Sequence, residues 1–257
     1  MGFGMFSVHN SPIAIDFGSA SAKLLQMGSG DRPALLAAAE VPISDPVRAD
    51  PELLFPYLEE WLPPVLHEAK FKGRRAIIAV PAAQKFIQHM QISDAVGVNR
   101  DDVIKSQLQA QLGCPPHGVV VRPVDVGTVH RNGQVQKEVI CFAIARDTVM
   151  RYVDLLKRCK LEVVGVHTDT LAMIRAFDHI HRREDDVNIT TLYIDLGWGG
   201  TQVAITHGKQ LVFARQIPVG GKHFDQLVAN AVHCDMASAR AHRLAIRSAK
   251  PHVAVRE

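Results

Sequence analysis

The chain has 257 residues, 47% of them hydrophobic, enough to bury one large core or two modest ones. Its 29 basic and 26 acidic residues leave a formal charge of +3, too weak a bias to argue for a nucleic-acid partner. The four cysteines (Cys114, Cys141, Cys159, Cys234) form no C-x-x-C pair and fit a reduced, cytoplasmic chain, and no run reaches the ~20 apolar residues of a membrane helix.

Residues 1–10 lack the basic start and apolar core of a signal peptide. Ile13-Ala-Ile-Asp16-Phe-Gly18 is an apolar strand ending on an acid and a glycine. A second strand is expected over 22–27, a turn at 28–31 and a third strand over 34–43. Asp50-Pro51-Glu52 is a helix start: a cap, proline in the first turn, and an acid near the positive dipole end. Leu54, Leu58, Trp61 and Leu62 continue at helical spacing, and Pro63-Pro64 is expected to break that helix. A short buried strand follows over 75–80.

Beyond Pro81 the texture changes. A strand over 86–92 precedes an amphipathic helix over 99–112, with Ile104, Leu108 and Leu112 on one face. Strands over 119–129 and 135–145 bracket the hairpin turn Arg131-Asn132-Gly133. Asp147 is expected to cap a helix striped by Val149, Tyr152, Val153 and Leu156. A strand over 161–166 leads to a helix over 169–180 carrying Leu171, Ile174, Phe177 and Ile180 inward. The polar run 181–188 marks a boundary.

Then the opening pattern returns. Leu192-Tyr-Ile-Asp195-Leu-Gly197 repeats the first motif, a strand follows over 201–206, a turn at His207-Gly208, a third strand over 210–217, and Val219-Gly220-Gly221 opens a helix. The chain thus carries a strand–turn–strand unit twice. A bend presenting an acid, a glycine and small hydroxyl residues suits a phosphate: glycine lets N–H groups approach the anion, and hydroxyls add donors. The acid serves a hydrated Mg²⁺ through water. The candidate residues are Asp16, Gly18, Ser19, Ser21 and Lys23 in the first copy, and Asp195, Gly197, Gly199 and Thr201 in the second. Gly197-Trp198-Gly199-Gly200 is no dinucleotide fingerprint, because a strand follows where a helix is required. The thirteen histidines show no zinc spacing, the cluster Lys70, Lys72, Arg74 and Arg75 reads as a solvated loop, and no spacing recommends a catalytic machine.

Paired loops of this kind belong to the actin, Hsp70 and sugar-kinase superfamily. Asp16-Phe-Gly-Ser-Ala-Ser-Ala-Lys-Leu-Leu, the 108–116 segment, residues 163–172 and Leu211-Val-Phe-Ala-Arg-Gln-Ile-Pro-Val-Gly-Gly221 together resemble the PilM pilus-assembly proteins over about residues 11–240. The resemblance implies an α/β, actin-like (ribonuclease H-like) fold, with a first domain over 11–80 and 141–182, an α+β insert over 81–140 and a partial second domain over 190–257. The residues after Gly221 are fewer than that fold needs, so the second domain is expected to be incomplete and nucleotide affinity reduced. It also implies ATP and Mg²⁺ as ligands, with Gly220 and Gly221 in the nucleotide site, Asp16 and Asp195 holding Mg²⁺ through water, and turnover slow or absent. The implied role is that of a cytoplasmic adaptor, peripheral to the inner membrane, which docks the N-terminal tail of a PilN-like membrane protein in a groove between first domain and insert. The related platform of type II secretion falls within the same reading, and a homo-oligomer is compatible with it. Trp198 and Gly199 depart from the small, hydroxylated residues usual there. A small-molecule kinase of the superfamily is the competing enzyme reading, and a membrane-tethered FtsA-like filament protein is a third.

Overall fold

The computed structural model describes residues 10–29, 34–93, 99–112, 115–131, 134–177 and 187–246. Strands β1 (Ile13–Phe17), β2 (Ser21–Met27) and β3 (Leu35–Pro42) form an antiparallel meander. Strand β4 (Arg75–Ala79) adds parallel to β1, and β8 (Glu162–His167) parallel to β4, giving a five-stranded mixed sheet in the order β3-β2-β1-β4-β8. Alternation along β1 sends Ile13, Ile15 and Phe17 into the core and turns Ala14 and Asp16 to the other face. Helices α2 (Pro51–Glu68) and α4 (Arg146–Arg158) cover the core face with Leu58, Leu62, Tyr152, Leu155 and Leu156, and Tyr152 packs against Phe17 and Phe55.

Two local expectations need correcting here. The prolines at 63 and 64 do not end α2, which runs through Pro56, Pro63 and Pro64 to Glu68. Both rings lie on the exposed side, where carbonyls deprived of a donor can turn to water, while Leu58, Leu62, Val65 and Leu66 hold the other side to the sheet. Asp50 does cap it, its carboxylate accepting from the Glu52 N–H at 3.0 Å. A short helix α1 (Asp45–Ala49), not expected from the sequence, precedes it. Asp147 is not a cap either. The N-cap of α4 is Ala145, so Asp147 sits inside the first turn and acts on the helix dipole.

The segment between β4 and α4 forms a second sheet from β5 (Lys85–Ser93), β6 (Val119–Arg131) and β7 (Gln134–Ala145), in the order β5-β7-β6. Its strands alternate between two apolar contacts. Met90, Ile92, Val139, Cys141 and Ala143 meet α3 (Arg100–Leu112), which brings Ile104 and Leu108 as expected. The side chain of Leu112 and the turn residues Asn132 and Gly133 lie outside the described residues. The opposite face, with Ile87, Ile140 and Phe142, meets α5 (Asp169–Ala176) and a third sheet of β9 (Thr190–Leu196), β10 (Thr201–His207) and β11 (Gln210–Ile217). Within α5, Ile174 is buried but Phe177, its C-cap, is 45% exposed, because the helix has ended and the inward stripe ends with it; Ile180 and most of the 181–188 boundary lie outside the described residues.

The third sheet repeats the β1–β3 meander in the order β11-β10-β9. At the β10–β11 hairpin Gly208 takes φ +55°, and a Cβ there would stand 2.8 Å from the Val187 carbonyl, so glycine serves both the turn and the close approach. Helices α6 (Gly221–Val232) and α7 (Met236–Ile246) pack on each other after β11.

Candidate phosphate-binding cleft

The two hairpin bends are built alike. In the first, the Gly18 N–H donates to the Ser21 carbonyl at 3.0 Å; in the second, the Gly197 N–H donates to the Gly200 carbonyl at 3.0 Å. In each, a Cβ on the glycine would stand 3.0 Å from that carbonyl oxygen. The acid preceding the bend faces a polar partner across the ladder: Asp16 is registered with Lys23, and Asp195 with Gln202.

Both bends open on one cleft. Asp16, Gly18, Ser19, Ser21 and Lys23 line it from one side, and Asp195, Gly197, Trp198, Gly199 and Gly200 from the other. The loops nearly touch, since a Cβ on Gly199 would lie 2.7 Å from Ser19 Oγ. The site also sits where an α/β sheet is built to hold a ligand. β1, β4 and β8 run parallel, and residues at or just beyond their carboxyl ends, namely Asp16, Ala82 and Asp169, meet at this cleft.

Thr201, Gly220 and Gly221 stand elsewhere, behind the second loop. Thr201 Oγ1 donates to the Val219 carbonyl at 2.6 Å. The first N–H groups of α6 are spent on the loop, from Gly221 to the Gly197 carbonyl (2.9 Å) and from Lys222 to the Trp198 carbonyl (2.9 Å). Trp198 turns its ring to Arg48, whose guanidinium carbon lies 4.6 Å from the ring centroid, so the tryptophan closes the side of the cleft.

Two residues that the sequence did not single out, Asp169 and Gln202, complete the floor, with a third, Lys85, behind them. Asp169 opens α5, Gln202 projects from β10, and Lys85 begins β5 behind them. Asp169 Oδ1 pairs with Lys85 Nζ, and its Oδ2 accepts from Gln202 Nε2 at 2.6 Å. An acid at the end of a parallel strand was the available signal for Asp169; for Lys85 and Gln202 there was none. Burial pushes the Asp16 carboxyl above the ordinary aspartate range; Lys23 opposes this, Asp169 and Asp195 reinforce it, and Lys85 opposes it again. Burial also lowers the Lys85 ammonium, against the pull of Asp169.

The donor set fits a hydrated divalent cation held between phosphates. Carboxylates converge beside glycine and serine donors, and among the described residues no three His, Cys, Asp or Glu are grouped to grip a metal directly. The cleft encloses about 120 Å³, below the ~300 Å³ of a small-molecule pocket and suited to a phosphate group with its ion. A second groove of about 330 Å³ runs beside Val126, lined by His89, Met90, Gln91, Glu138, Val139 and Val212. It therefore lies between the middle sheet and β11, whereas the resemblance put a groove between the middle segment and the first sheet.

Duplicated meanders whose acid-and-glycine bends face each other over a phosphate-sized cleft define the actin-like ATPase fold, and the solved structures agree. The chain is similar to the PilM–PilN type IV pilus biogenesis complex, at 19% identity over 90% of this chain and 68% of that chain, with a TM-score of 0.73. It is similar also to the cytoplasmic domain of EpsL, an inner-membrane component of the type II secretion system of Vibrio cholerae, at 15% identity, covering 84% of this chain and 74% of that one, with a TM-score of 0.50. Compared as a sequence with curated proteins, the chain matches none. The family profile described as type IV pilus assembly protein PilM matches residues 14–248, and the chain belongs to that family. No helix among the described residues is long and apolar enough to cross a membrane.

Proposed function

We propose that this chain is a cytoplasmic nucleotide-binding adaptor of a type IV pilus inner-membrane platform, carrying a first domain (11–80 and 141–182), an insert (81–140) and a second domain from 190. The observation that carries the reading is the meeting of both duplicated bends on one cleft. Backbone donors around Gly18 and Gly197, with Ser19, Ser21 and Lys23, bind the phosphates of ATP, and Asp16 and Asp195 hold Mg²⁺ through its water shell. The ion would neutralise phosphate charge when bound. A kinase would need a free general base. Asp169 already accepts from Lys85, Thr170 and Gln202, and Asp16 and Asp195, the other two acids of the cleft, are assigned to the cation, which favours an adaptor that holds nucleotide over an enzyme that turns it over.

Titration calorimetry tests the site. ATP should bind with magnesium present, and inorganic pyrophosphate should displace it with an affinity within about tenfold, because the enclosed volume suits the phosphates. If adenosine competes and pyrophosphate does not, the phosphate assignment is wrong.

The partner we propose is the N-terminal tail of a PilN-like inner-membrane protein, which would hold this chain at the membrane. β6 is an edge strand of its sheet and can extend it by one extended peptide, and the groove beside Val126, where His89, Gln91 and Glu138 stand among Met90, Val139 and Val212, can take side chains of that peptide. An aspartate at Val126 or Val212 should weaken binding of the tail peptide at least tenfold in fluorescence anisotropy, with the fold intact by circular dichroism. Undiminished binding in both variants removes the docking surface from this groove.

A further inference from the structure

Lys85 is buried, its side chain 3% exposed, and it does not line the cleft. Its ammonium has three acceptors for its three hydrogens: Asp169 Oδ1, Thr170 Oγ1 at 3.3 Å and Gln202 Oε1 at 3.2 Å. The acceptors are cross-linked among themselves. Thr170 Oγ1 donates to Gln202 Oε1 at 2.7 Å, the Thr170 N–H to Asp169 Oδ1 at 2.8 Å, and Gln202 Nε2 to Asp169 Oδ2 at 2.6 Å. This network joins three elements, β5, α5 and β10, and its two cleft-facing members are Asp169 and Gln202.

Stability alone is a weak reason for such a group. A buried ion pair seldom outperforms apolar packing of the same volume, because desolvating both charges consumes most of the attraction. The location supplies a better reason. Asp16, Asp169 and Asp195 all face a cleft read as a phosphate site, Lys23 stands opposite Asp16 alone, and each carboxylate left uncompensated would repel a polyanion. Lys85 cancels one of them from behind without occupying space in the cleft.

We propose that Lys85 is a positioning residue of the phosphate site: it holds Asp169 and Gln202 in one orientation and compensates the Asp169 charge, so that phosphates rely less on the divalent cation than they would beside an uncompensated Asp169. The inference rests on the nucleotide reading above and adds to it a prediction about magnesium. The quantity that tests it is the ratio of pyrophosphate affinity with magnesium to that with chelator, measured by calorimetry on the full chain.

In Lys85→Met the ratio should rise on the order of tenfold, mostly by loss of chelator-state affinity, because an extra negative charge repels phosphate and attracts the ion. In Asp169→Asn it should fall, since Lys85 is then uncompensated. Lys85→Arg should keep the parent ratio, and the double variant Lys85→Met/Asp169→Asn should return near it. A purely structural lysine would move melting temperature and leave the ratio alone. Should Lys85→Met fail to fold, the double variant, which buries no unpaired charge, still decides: a ratio as low as that of Asp169→Asn alone overturns the role of Lys85. Equal ratios in variants that bind overturn the role of Lys85 and leave the nucleotide site standing. Absence of pyrophosphate and ATP binding in the parent overturns both.

Discussion

Replacing Gly220 with alanine should unseat the second phosphate loop and lower stability by about 3 kcal/mol. A Cβ at this position would stand 2.5 Å from the Gly197 carbonyl oxygen, 2.6 Å from the Gly200 nitrogen and 2.7 Å from the Trp198 carbonyl oxygen. All three neighbours are backbone, so no side chain can swing away to make room. The same contact surface carries the hydrogen bonds from the start of α6 into the loop, and displacement would break these too. The comparison variant is Gly199→Ala, whose added carbon meets the Ser19 side chain, a hydroxyl able to change rotamer. Thermal melts should place Gly220→Ala well below Gly199→Ala, and pyrophosphate binding should be lost in the first. Equal melting temperatures would mean that the loop is not braced by the glycine pair.

Asp16→Asn should separate stability from function. The native carboxyl titrates above the ordinary aspartate range because it is buried, and the native state therefore holds its proton to higher pH than the unfolded chain does. Stability accordingly falls as pH rises from the unfolded value of 3.8 through the raised native value, and it remains lower at neutral pH. Asparagine removes that penalty. The variant should melt higher than the parent at pH 7, with the advantage fading toward pH 4 and disappearing below it. The same change removes an acid proposed to orient the water shell of the cation, so magnesium-dependent ATP affinity should fall about 10- to 100-fold. A variant less stable than the parent at pH 7 would contradict the electrostatic account. Unchanged nucleotide affinity would remove Asp16 from the site. Gains in stability at the expense of binding are the usual mark of a functional group held in an unfavourable place.

The duplicated bends were legible in the sequence because their chemistry is local. An acid, a glycine and small residues within a few positions define the turn, and the two copies can be compared directly. The amphipathic face of α3 was legible for the same reason, as helical spacing of Ile104 and Leu108 reports burial without reference to a partner. Tertiary packing decided the rest. Helix α2 passes through three internal prolines because apolar burial of its inner side outweighs bonds lost on the wet side, a balance that local propensity does not contain. Gly220 and Gly221 read as ligand contacts, yet the lack of a side chain at Gly220 is used by a loop twenty or more positions earlier in the chain. The floor of the cleft was least legible. Lys85 meets Asp169 and Gln202 across 84 and 117 positions, and nothing near any of the three announces the others. Their meeting depends on how three sheets stack, and a buried charge finds its compensation only after that stacking is complete.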